Sequence, residues 1–112
     1  MKQNNLVRLT LIFVLFGALF TSSFNQIAVG EEIFQIPELF NDATEYFMIG
    51  EYRQSIIIYD KILELEPNNV KTLLMKGTAL SNIDRHKNSI LEFKKVLYIQ
   101  PENLMALLGI GV

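Results

Sequence analysis

The chain has 112 residues, room for one domain at most. Ten Lys and Arg against twelve Asp and Glu leave a net charge of −2, with residues 31–112 carrying all twelve acids and eight of the bases, a balance that argues against nucleic acid, whose binding rests on phosphate neutralisation by Lys and Arg. Cysteine is absent, which excludes disulfide staples, cysteine zinc sites, a thiol nucleophile and a lipidated N-terminal cysteine, so stability has to come from packing.

Residues 1–30 stand apart from the rest. Lys2 and Arg8 precede an apolar run from Leu9 to Phe20, followed by Thr21-Ser22-Ser23 and then Ala28-Val29-Gly30. A basic start, an apolar core and a small-x-small exit describe a secretory signal peptide cleaved before Glu31. The rival reading is an uncleaved membrane anchor through residues 9–30, all uncharged, although Thr21, Ser22, Ser23, Asn25 and Gln26 make its second half polar. A buried helix of a soluble protein is the third. Under the first two readings the basic residues stay on the cytoplasmic side and residues 31–112 face outside, secreted or membrane-anchored.

Residues 31–36 read as an irregular lead-in. Pro37 suits the first turn of a helix, where no amide donor is needed, and the spacing of Leu39, Ala43, Tyr46, Phe47 and Ile49 predicts a helix over about 38–49. Gly50 can enter the left-handed region that ends helices. A second helix is predicted over about 53–66, with Ile56, Tyr59, Ile62, Leu63 and Leu65 apolar. The run Ile56-Ile57-Ile58-Tyr59 has strand propensity, which the flanking helix formers and the repeat described below override. Pro67 ends this helix, and Asn68 or Asn69 can cap the next, over about 70–83. Asp84 holds the place in the following turn that Gly50 holds in the first. A fourth helix over about 87–100 carries Ile90, Leu91, Phe93, Val96, Leu97 and Ile99, Pro101 ends it, and a fifth starts at Leu104.

Pro67 and Pro101 are 34 residues apart, and the same shift lays Leu39 on Leu73, Ala43 on Gly77, Ser55 on Ser89, Tyr59 on Phe93, Ile62-Leu63 on Val96-Leu97 and Asn69 on Asn103. A fixed period of this size marks repeated supersecondary units. These residues resemble the tetratricopeptide repeat (TPR) family, whose unit is a pair of antiparallel helices, A and B. The resemblance implies an all-α fold, a short and incompletely capped TPR-like α-solenoid of antiparallel helix hairpins, with repeat 1 at 37–69, repeat 2 at 70–103 and part of a third helix A at 104–112. Departures from the family pattern are Leu39 and Leu73 at its tryptophan position, and Asp42 and Lys76 at the leucine before the small residue.

The resemblance also implies a function: binding a protein or peptide in a concave groove lined by helix A. The matching positions are Phe40, Thr44, Phe47 and Met48, then Lys71, Leu74, Met75, Thr78, Ser81 and Asn82, then Met105 and Leu108. The Lys, Asn and Arg set with which some members clamp a terminal carboxylate is missing, since Phe40, Thr44, Met75, Met105 and Gly109 stand at its positions. The groove is expected to be apolar and methionine-bearing, fit for an amphipathic helix or apolar peptide, although Phe47 and Leu74 can equally pack against helix B as core. The uncharged stretch 104–112 is the opposite of the polar end that such arrays need. It is expected to pair with itself, to dock on another protein, or to continue into a longer repeat protein. A self-associating structural piece, dimerising through this end with no separate ligand, is therefore the alternative function.

No enzyme, cofactor or metal site is expected. His86 is the sole histidine and sits in a turn beside Asp84 and Arg85. Glu31-Glu32 and Glu64 with Glu66 are too close in sequence to converge from one helix face. Ser55, Ser81 and Ser89 have no nearby base in the sequence, and Gly109-x-Gly111 lacks the strand and helix of a phosphate loop. Lys87, Lys94 and Lys95 read as a solvated basic face.

Overall fold

The structure, a computed structural model, describes residues 34–111. The predicted leader over 1–30, most of the lead-in and Val112 lie outside the described residues. The described chain holds five α-helices: α1 Ile36–Met48, α2 Tyr52–Leu65, α3 Val70–Asn82, α4 His86–Ile99 and α5 Leu104–Ile110. The 34-residue shift carries α1 onto α3, α2 onto α4 and the start of α3 onto that of α5, each to the residue. The fold is all-α. Connections of three or four residues force neighbouring helices to run antiparallel, and each helix packs on the next, with α3 also touching α5.

Local chemistry sets these boundaries. Asn69 and Asn103 cap α3 and α5, their side chains accepting the amides of Thr72 and Ala106 at 3.0 Å each. At the end of α1, Gly50 adopts φ +82°, and the amides of Glu51 and Gly50 turn back to the carbonyls of Tyr46 (2.9 Å) and Phe47 (3.1 Å), the Schellman arrangement. The end of α3 repeats it with Arg85 on Leu80 (2.9 Å) and Asp84 on Ser81 (3.1 Å), and Asp84 takes φ +61° in the glycine's place. Helix α1 begins at Ile36, earlier than the predicted lead-in allows, because Ile36 is buried against Ala43, Tyr59 and Ile62 and Pro37 still falls in the first turn.

The core forms two clusters. Ile36, Ala43, Tyr59 and Ile62 are the buried centre of the first, with Leu39, Phe40, Ile58, Leu65 and Met75 packed against it. Leu73, Phe93, Val96 and Ala106 centre the second. Met75 of α3 belongs to the first cluster and Ala106 of α5 to the second, so each hairpin is closed partly by the first helix of the next. Only this sharing lets units of this size bury a full face. The serines at the small-residue positions are buried, and Ser89 donates across the hairpin to the carbonyl of Gly77 at 2.7 Å, a reach that the bare Gly77 backbone permits.

Candidate functional site

The predicted groove residues all lie on the first helix of a hairpin, α1, α3 or α5, and they divide by depth. Met48 (79% exposed), Met105 (62%) and Leu108 (65%) are open to solvent, as are Lys71 and Asn82. Phe40, Thr44, Phe47, Leu74, Met75, Thr78 and Ser81 are half-buried. Several of these are engaged in packing. Phe40 and Met75 rest on the first cluster and Leu74 on the second. Phe47 meets the Tyr52 ring edge-on at 5.2 Å, so it pins the α1–α2 turn. The hydroxyls of Thr44 and Thr78 donate to the carbonyls of Phe40 (2.7 Å) and Leu74 (2.9 Å), and the Asn82 amide to that of Thr78 (3.1 Å). These threonines thus spend their donors on their own helices.

Phe40 and Lys71 come together. The ammonium of Lys71 sits 4.2 Å from the Phe40 ring centroid, a cation–π contact between the first helices of successive hairpins. With Ile36, Pro37, Asn41 and Asn69 they line an open hollow of about 290 Å³. Phe40 is held from behind by Tyr59, whose ring is 5.9 Å away at 50°. Burial pushes the Tyr59 phenol above its ordinary value, with the Thr44 side chain pulling the other way. The Tyr59 hydroxyl itself is buried without a hydrogen-bond partner.

A charged cluster that the sequence reading passed over ties the hairpins together. Lys76 of α3 reaches Asp60 of α2 at 2.7 Å and Glu92 of α4 at 3.2 Å, and Glu92, its side chain only 8% exposed, also takes Lys95 at 3.2 Å. Burial acts to lower the Lys76 pKa, but the hydrogen bond to Asp60 and the charges of Glu92 and Asp60 outweigh it, and the pKa is raised. The available signal was Lys76 itself, a cation where the repeat pattern has leucine.

His86 lies 3.6 Å from Asp84, and both are exposed. Among the described residues no three His, Cys, Asp or Glu side chains gather as a metal cluster, and no helix is long and apolar enough to cross a membrane. The family model described as tetratricopeptide repeat matches residues 70–103, the second hairpin with the turn into α5. No curated protein matches the chain.

Proposed function

We propose, since this chain belongs to the tetratricopeptide repeat family, that it is a protein-interaction module that holds an apolar peptide or amphipathic helix along the first helices of its hairpins. The observation that supports this most is the open exposure of Met48, Met105 and Leu108 on those helices, beside the Phe40–Lys71 hollow. Methionine offers a deformable apolar contact that suits varied side chains, and Lys71 would favour a ligand with an acidic residue near its end. The leader places this module outside the cytoplasm, secreted or held at the membrane.

The binding test is a titration of the chain with a synthetic amphipathic helix of leucine and serine, followed by amide chemical shifts. The reading expects saturable shifts at Phe40, Met48, Lys71 and Asn82, and about tenfold weaker binding on Met48→Glu with Met105→Glu. No saturation, or shifts elsewhere only, counts against it. Export is tested by intact mass after expression in a secreting host. A product outside the cytoplasm starting at Glu31, or one retaining Met1 in the membrane, agrees with it, and a soluble cytoplasmic product with Met1 does not.

A further inference from the structure

The 34-residue shift allows each surface of α5 to be compared with its counterparts on α1 and α3. One set of positions holds Ile36, Val70 and Leu104. Ile36 is buried, Val70 is half-buried against the second cluster, and Leu104 is 67% exposed. A second set holds Phe40, Leu74 and Leu108. The first two are half-buried against their clusters, and Leu108 is 65% exposed. What covers the earlier members is the second helix of each hairpin: Tyr59 and Ile62 of α2 share a cluster with Ile36, and Phe93 and Val96 of α4 share one with Val70 and Leu74. The side of α5 that faces α4 is made instead by Ala106 and Gly109, with Gly109 against Phe93. Leu104 and Leu108 therefore continue an apolar seam that the rest of the fold closes with an antiparallel helix.

The opposite flank of the array differs. Thr72, Met75, Lys76 and Ala79 of α3 pack toward the preceding hairpin and are buried or half-buried. Their counterparts on α1 are Glu38, Asn41, Asp42 and Glu45, all exposed and polar. Only the α5 flank presents leucines.

We infer that the Leu104–Leu108 face of α5 docks an amphipathic α-helix from a partner protein, seated as α2 sits on α1, with an aromatic and an aliphatic residue three apart in the places of Tyr59 and Ile62. The seam also states a preference. Where α3 has Lys76 opposite Glu92, α5 has Ile110. A buried glutamate there would lose its cation, so the docked helix carries an aliphatic residue at that position, as α2 does with Ile58. A second copy of α5 is a poorer occupant, because α5 is seven residues long, far short of the area that a stable dimer buries. The site is distinct from the groove proposed above except for Leu108, which borders both.

The experiment uses the full chain and two synthetic peptides as probes, one spanning residues 52–66 and one spanning 86–100. Binding is read by anisotropy of labelled peptide and by the rise in helical circular dichroism. The 52–66 peptide should bind one to one and more tightly than the 86–100 peptide, whose Glu92 would meet Ile110. Leu104→Glu with Leu108→Glu should weaken it more than tenfold, both sites being exposed and their circular dichroism unchanged. Met48→Glu, in the groove only, should leave it unaltered, which separates this site from the other. Absence of binding overturns the inference, as does binding indifferent to the Leu104 and Leu108 changes. So does a concentration-dependent dimer of the chain alone that those changes disperse, which would make the occupant a second copy.

Discussion

The Phe93 ring occupies the space that a side chain at Gly109 would need: a Cβ placed there comes within 2.6 Å of the ring's Cζ. The same ring faces Gly77 across the hairpin, with 2.8 Å between Cε1 and a Cβ on Gly77. Phe93 is thus clasped by two glycines, one on each neighbouring helix. Alanine should improve helix propensity by at most about 1 kcal/mol at either site, whereas overpacking costs about 1–3 kcal/mol. Gly77→Ala and Gly109→Ala should therefore each destabilise the fold in urea denaturation. Gly109→Ala should also speed amide exchange in α5 ahead of α1 and α2. Adding Phe93→Leu should recover part of either loss, a non-additivity expected of touching residues. A stabilised Gly109→Ala protein would contradict the packing described.

Lys76 holds two hairpins through Asp60 and Glu92. Removing it as Lys76→Ala leaves the buried Glu92 with Lys95 alone, at a cost of about 2–3 kcal/mol. Replacing the pair with Lys76→Leu and Glu92→Ile should recover most of that loss, because Ile58 fills the equivalent position in the first hairpin without any charge. Denaturant midpoints of the single and double variants check this. A double variant no more stable than Lys76→Ala would mean that the ions, and not the space they fill, close the seam.

Tyr59 and Lys76 both have pKa values raised above their ordinary 10.0 and 10.5. In each case the folded state keeps a proton that the unfolded chain releases first. The folded state therefore binds more protons once pH passes about 10, and stability falls as pH rises further. Below that pH neither group gives a slope. Thermal midpoints should accordingly decline from pH 10 upward, and less steeply in Tyr59→Phe. At pH 7 that variant should lose nothing and gain up to about 1 kcal/mol, since the buried hydroxyl it removes has no partner. A loss above 1 kcal/mol at pH 7 would show that the hydroxyl is satisfied.

Gly50 and Asp84 close the two hairpins in the same left-handed conformation, at φ +82° and +61°. Glycine enters this region freely, and other residues pay about 1 kcal/mol. Asp84→Gly should therefore raise stability by up to about 1 kcal/mol, and Gly50→Ala should lower it by a similar amount. The space around Gly50 is open, so strain in the backbone is the only cost there. Equal stability of all three proteins would argue that the turns tolerate either handedness.

The arrangement of helices was legible in the chain, because a period of 34 residues carries capping asparagines, helix-ending prolines and apolar spacing together, and each of these acts within one or two turns. The turn at Asp84 could be read the same way, by its place opposite Gly50. Site detail was less accessible. Helical spacing puts Phe40, Leu74 and Met75 on the first helices, but whether they face a ligand or the core depends on how closely the neighbouring helix approaches, and all three turn out to help close the core. The cluster of Asp60, Lys76 and Glu92 draws on three helices and is invisible to any local pattern, although the odd cation at Lys76 hinted at it. Gly109 looked like part of a tail motif until Phe93 was found against it. Short-range hydrogen bonding and periodic burial are written in consecutive residues, and so the hairpins followed from the chain alone. Depth, charge pairing and the uncovered seam at α5 arise where separate hairpins meet, and only their packing decided them.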